Sequence, residues 1–382
     1  MEHRGDGRVR IGRLVVVVAA LLAGCAPRAT LVIDPAAAKV GAVEPIYIGT
    51  TRGPDEKTPG VFGNGRHAGL QFARLDVSVP PDRKAGDITW PRKGGKVDPQ
   101  TQFLTVSADL YPSENAFQSE LRAKLARLPR GKREAVVFVH GFNTTFAEGA
   151  YRMAQLGHDL KIPGVLVHYS WPSKGHPLGY VYDRDSALFA RDGLQELLHD
   201  VDRAGADRIL LVAHSLGSLV LMEALRQAEI GGDTRLRRKI GGVMLVSPDL
   251  DVDLFRSQAH RIGPLPQPFL IFTSRKDRAL SLSARLTGRN QSRLGNLASA
   301  KDLADLNVTV LDTTAYTEGS GHFNIGDSPV LLSLMSQIGS INQALARESR
   351  GRTGLLPGVV LTFQNATEII LSPVAAISGY RG

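Results

Sequence analysis

The sequence predicts an α/β fold, a doubly wound and mostly parallel sheet with antiparallel strands at its N-terminal edge. Three observations carry that expectation. From Glu134 onward, short apolar runs alternate with longer amphipathic stretches, the order that builds a parallel sheet covered by helices. One of those runs, 208–212, feeds a sharp strand-to-helix turn, AHSLG at 213–217. Residues able to do chemistry stand just past several of the runs, at the edge where a wound sheet collects its ligands. The 382 residues are 43% hydrophobic and 22% charged, which fits a globular core and excludes wholesale disorder.

The N-terminus reads as a lipoprotein signal. Arg4, Arg8, Arg10 and Arg13 make a basic start, and 14–22 is an apolar core too short to span a bilayer. It ends in LAGC at 22–25, which resembles a bacterial lipobox. Cys25 is the sole cysteine, so an internal disulfide is excluded and the thiol is expected to carry lipid. The expected division is 1–24 signal peptide, 25–45 tether, 46–350 sheet domain and 351–382 C-terminal extension. Such a chain is anchored to a membrane without spanning it, and no later stretch is apolar for long enough to span. Ala26, rather than aspartate, after the cysteine favours the outer membrane of a bacterial envelope, facing the periplasm.

Residues 45–51 are a β-branched strand, and 52–67 a polar Gly/Pro-rich loop. Residues 69–79 alternate apolar and polar, as a half-exposed strand does. Another polar loop, 84–100, precedes an amphipathic helix at 114–128. Strands are expected at 135–139, 165–169, 208–212, 242–246, 269–272 and 308–311. Helices are expected at 146–160, at 184–202, after the 213–217 turn, and at 329–345 as a closing element. The extension at 351–382 is either an added hairpin or a loose tail. The basic run 235–239 reads as a solvated loop.

The residues just past the carboxyl end of each strand set the candidate site. In the AHSLG turn, small residues at 213 and 217 allow the reversal that lifts the Ser215 hydroxyl off the sheet, and Gly217 permits the following helix. After the 135–139 strand stand His140, Gly141 and Phe142. A His-Gly turn there suits an oxyanion hole, with the Phe142 amide as one donor and the Leu216 amide, at a helix start, as the other. Asp277 comes after the 269–272 strand, and His322 lies in a glycine-rich loop after the last. Serine, acid and histidine come in the order Ser215, Asp277, His322. In those roles Ser215 attacks, His322 moves the proton, and Asp277 holds the imidazole tautomer. Asp249, one strand earlier, is the alternative acid, and His260 the rival histidine.

These motifs together carry a resemblance. HGFN at 140–143, SWPS at 170–173, Tyr182 and Asp183 with Asp185 to Ala187, AHSLG at 213–217, Ser274 with Asp277 to Leu280, and Gly321 with His322 are similar to a bacterial family of α/β-hydrolases of unknown function, grouped with esterases and lipases. The likeness runs from about Tyr47 to Met335. The family usually has methionine after the nucleophile, where Leu216 stands here. The resemblance implies the α/β-hydrolase fold and a serine-hydrolase mechanism, and it implies no substrate.

The expected function is therefore cleavage of a small-molecule or lipid carboxylic ester by a membrane-anchored enzyme. A thioesterase, amidase or acyltransferase would use the same triad, and a non-catalytic envelope scaffold is the rival class. No cofactor is expected. Paired cysteines, a His-Glu-x-x-His motif and a calcium loop are all missing, so no metal is expected either. The net charge of +9 comes without zinc-finger, basic-zipper or RNA-binding signatures, so no nucleic-acid partner is expected. The sequence leaves the oligomeric state open. Trp171 reads either as a wall of the acyl pocket or as core. Asp183 and Asp185 read as charges that offset a helix dipole.

Overall fold

The computed structural model describes residues 28–55, 61–288, 293–317, 322, 324–329, 331–332, 358–363 and 366–371. Its strands are β1 (Ala42–Pro54), β2 (Phe62–Val79), β3 (Leu104–Tyr111), β4 (Glu134–Val139), β5 (Val165–Ser170), β6 (Arg208–His214), β7 (Ile240–Val246), β8 (Phe269–Thr273), β9 (Thr309–Asp312), β10 (Gly358–Phe363) and β11 (Ala366–Leu371). Its helices are α1 (Glu114–Ala126), α2 (Phe146–Asp159), α3 (Tyr180–Arg203), α4 (Gly217–Ile230), α5 (Thr234–Lys239), α6 (Val252–Ile262), α7 (Arg278–Leu286) and α8 (Asn324–Asp327). The described strands form one sheet in the order β10-β11-β9-β8-β7-β6-β4-β5-β1-β2-β3. Pairing is parallel from β11 through β1 and antiparallel at both margins. This is the α/β-hydrolase fold.

Why the centre folds this way is visible in β4. Ala135, Val137 and Val139 enter the core under α3 and α4, while Val136 and Phe138 enter the core under α2. Strands buried on both faces need continuous apolar sequence rather than alternation. Several helices start where a side chain satisfies a free amide, whereas α3 and α4 start without a side-chain cap. Thr145 and Glu148 make a reciprocal capping box for α2, and Asp277 caps α7 through the Leu280 amide. Among the described residues, no helix is long and apolar enough to cross a membrane.

Several expectations need correction. The loop expected at 52–67 is mostly strand, because β1 and β2 run on past two register shifts and pair Arg52 with Arg66 and Pro54 with Phe62. Strand β3 and helices α6 and α7 are additions to the expected elements. The run at 235–239 is helical, and Arg235 and Lys239 both reach the buried Asp202 carboxylate, at 2.5 and 3.3 Å. Much of the expected tether lies against the domain: Ile33 bridges to Thr105 and Ala37 is buried. The extension contains a hairpin, β10–β11, added parallel to β9. The closing helix begins, with Pro329, Leu331 and Leu332 helical, and the rest of it lies outside the described residues. So do the signal segment and Cys25.

Candidate active site

Ser215 leaves β6 with φ of 52°, a left-handed conformation that a serine adopts only when its surroundings impose it. Two close approaches impose it. A Cβ on Gly217 would lie 2.3 Å from the His140 carbonyl oxygen, so only glycine lets α4 pack against the end of β4. A Cβ on Gly141 would lie 2.8 Å from the Ser215 Cβ. Backbone bonds fix the turn from its other side, where the Ser215 amide donates to Val246 O and its carbonyl accepts from the Asp249 amide. The strain thus holds the hydroxyl at the carboxyl rim of the sheet.

The rim brings together the three side chains predicted from far apart in sequence. His322 Nε2 lies 2.8 Å from Ser215 Oγ, and His322 Nδ1 lies 2.9 Å from Asp277 Oδ2. A carboxylate only accepts, so Nδ1 carries the hydrogen and Nε2 is the acceptor for the serine hydroxyl. Asp277 is fully buried, and its other oxygen accepts from the Leu280 amide at 3.0 Å. The helix cap therefore aims the free oxygen at the imidazole. His260 is elsewhere, with Nε2 2.8 Å from Asp305 Oδ2. Asp249 does not meet His322. It accepts from Tyr180 Oη and Ser283 Oγ and pairs with buried Arg293 at 3.3 Å.

A match to a family model described as alpha/beta hydrolase of unknown function (DUF900) covers residues 113–336. The chain belongs to this family. No curated protein matches it. Among solved structures, Aspergillus fumigatus lipase B is similar with a TM-score of 0.37 at 14% identity, over 60% of this chain and 58% of that one. This DUF900 chain thus spans less than two thirds of that lipase, and so weak a likeness says nothing of activity.

Around the triad of this DUF900 chain, three histidines carry structural roles. His214 Nε2 lies 3.1 Å from the His322 carbonyl oxygen and its ring packs 4.8 Å from the His322 ring. Burial first, and then the neighbouring His322, hold its pKa well below the ordinary value, so it stays neutral. A neutral ring can donate from Nε2 and fix the His322 backbone without competing for the proton. His140 is also kept neutral, by burial and then by the Arg52 charge. Its ring stacks on Trp171, and Trp171 Nε1 donates to the His140 carbonyl at 2.7 Å. His168, with its pKa lowered to about 3 by burial, stacks on Phe138. Trp171 is completely buried and belongs to the core.

The 140–144 turn rests on a polar clamp that the sequence does not reveal. Buried Arg52 donates to the carbonyls of Gly63, Ser173 and Thr144 and to Ser170 Oγ. Burial lowers its pKa to about 10, against the opposing pull of Asp183 and Glu148, so it keeps its charge at neutral pH. Asp183 lies in the first turn of α3, as a dipole-offsetting charge should, and it also takes the Ser173 hydroxyl at 2.5 Å, the Lys174 amide at 2.6 Å and the Asn143 amide at 3.2 Å. These groups anchor both sides of Phe142. The only hint in the sequence is that Ser173 and Asp183 both belong to the family-like motifs. Neither the Phe142 nor the Leu216 amide donates a hydrogen bond to a described residue.

Proposed function

We propose that this protein is a membrane-anchored serine hydrolase that cleaves a carboxylic ester through an acyl-enzyme on Ser215. One observation carries the reading: a strained serine, an imidazole and a capped, buried carboxylate form a continuous hydrogen-bonded relay at 2.8 and 2.9 Å. His322 Nε2 takes the Ser215 proton as Oγ attacks the acyl carbon, and Asp277 stabilises the resulting imidazolium. The undonated amides of Phe142 and Leu216 serve as the oxyanion hole. Such donors act mainly on the transition state, and losing one typically costs about 3–4 kcal/mol. The imidazolium then gives its proton to the departing alcohol, and a water activated by the same nitrogen releases the acid and restores the serine. The chemistry proposed uses no metal or cofactor. The anchor proposed is lipid on Cys25, and the substrate class is a small-molecule or lipid ester.

The test is labelling with a fluorophosphonate together with turnover of p-nitrophenyl esters of graded chain length. Wild type should label and turn over the esters. Ser215→Ala should do neither while keeping the wild-type circular dichroism. A folded wild-type protein that resists the probe and cleaves no ester would sink the proposal and favour the scaffold reading.

A further inference from the structure

We infer that the rim of this site docks on an anionic lipid surface, so that Ser215 opens toward the membrane and takes an ester carried in it. The substrate half of this inference rests on the ester-hydrolase reading, whereas the docking half does not.

The first observation is a set of exposed aliphatic side chains beside the site. Leu178 is 88% exposed and Val181 76%, at the start of α3, with Leu282 at 58% and Leu286 at 62% on α7. These two helix segments adjoin, because Tyr180 Oη and Ser283 Oγ are 2.7 Å apart. They also adjoin the site. The Tyr180 ring packs edge-on against Phe142 at 5.3 Å, and Phe142 supplies a proposed oxyanion amide. Exposed apolar side chains scattered singly need no explanation, but four flanking one catalytic mouth do.

Charge identifies the occupant. Arg278 and Arg285 share α7 with the exposed leucines, and both are exposed. Lys174 is exposed on the approach to α3. None of the three forms an ion pair with a described residue, and Asp185 is the exposed acid on this part of α3. A basic helix with leucines on its open face suits headgroups and acyl chains together.

The path of the chain supplies the second observation. Arg28, near the start of the described chain, donates to the side chain and carbonyl of Asn143 and pairs with Glu148 at 2.6 Å. A Cβ added at Gly175 would lie 3.8 Å from the Arg28 guanidinium, so this arginine lies beside the loop that leads to Leu178. Three residues of chain reach at most about 11 Å. Lipid on Cys25 would therefore hold the membrane within that distance of the Arg28 backbone, whose side chain reaches the oxyanion turn.

The test uses the mature, lipid-bearing protein reconstituted in vesicles of phosphatidylethanolamine and phosphatidylglycerol. An environment-sensitive nitrobenzoxadiazole label is placed at Leu178→Cys, at Leu282→Cys, or at Ile230→Cys. Ile230 is exposed at the far end of α4 and serves as the control. Blue-shifted emission, with quenching by lipid-borne nitroxide, is expected at positions 178 and 282 and not at 230. Equal, water-like emission at all three positions overturns the inference. A shift that appears without lipid, alongside a doubled mass, overturns it in favour of a second copy of the chain. Leu178→Glu with Leu282→Glu should slow hydrolysis of a vesicle-borne ester by about tenfold or more and leave a soluble p-nitrophenyl ester unaffected. Equal loss on both substrates also counts against docking. If wild type cleaves neither ester, the hydrolase reading fails while the label still reports docking.

Discussion

Asp249 and Asp277 leave neighbouring parallel strands, β7 and β8, and both are buried at the same rim. They come to opposite ends. Asp277 spends one oxygen on capping α7, which leaves the other pointed at His322. Both oxygens of Asp249 are taken, one by Tyr180 and the other by Ser283 and Arg293. Arg293 already balances its charge, so an imidazolium would gain little from it. The comparison teaches that a place after a strand does not make an acid catalytic. A carboxylate becomes available to a histidine when its local hydrogen bonds orient it without consuming it.

The most severe way to break the comparison is Asp277→Asn. An amide there can still take the Leu280 N–H, but it no longer stabilises the imidazolium and favours the wrong tautomer. A loss of about 10⁴ in kcat is expected, with KM little changed. Steady-state hydrolysis of a p-nitrophenyl ester measures it. If kcat survived that change, the relay would not depend on Asp277. Its counterpart, Asp249→Ala, should act on stability instead. Removing one partner of a buried ion pair leaves Arg293 uncompensated, at a cost of about 3–5 kcal/mol. Denaturant unfolding would read that cost, and the fraction that stays folded should still label with a fluorophosphonate. A variant of normal stability that failed to label would instead make Asp249 the functional acid.

The range of the interactions decides how much of this is legible in the sequence. The central strands show because their residues are buried on both faces, and the Ser215 turn shows because its constraints lie within five residues. The order of serine, acid and histidine points to Asp277 and His322 without any contact information. Strand β3 and the outer halves of β1 and β2 do not show. The outer halves of β1 and β2 are polar and glycine-rich, and pairing such as Arg52 with Arg66 overrides local preference. The clamp under Phe142 is hidden for the same reason. Asp183 meets Asn143 across 40 positions, and Arg52 meets Thr144 across 92. Nothing local distinguishes either residue from a surface charge.

A third buried carboxylate sharpens the rule. Asp200, on α3, accepts from Gln118 at 2.9 Å, but its other oxygen has no hydrogen-bond partner among the described residues. Its nearest cation, Arg203, is half-exposed and 3.4 Å away. It lacks the imidazole of Asp277 and the buried arginine of Asp249, and burial, together with the neighbouring Glu114 carboxyl group, pushes its pKa up to about 7. Proton counting gives the sign of the consequence. Between the ordinary aspartate value, near 4, and about 7, the folded chain holds a proton at Asp200 that the unfolded chain has released. Stability should therefore fall as pH rises through that window, by at most about 1.4 kcal/mol per pH unit, and the contribution should level off above it. Asp200→Asn keeps the Gln118 bond and removes the titration, so it should flatten this part of the profile and stabilise the protein more at pH 8 than at pH 5. Urea midpoints at the two pH values give the measurement. A variant whose midpoint keeps the wild-type slope would mean that solvent or Arg203 already stabilises the ionised carboxylate, and that burial without a dedicated partner does not govern these acids.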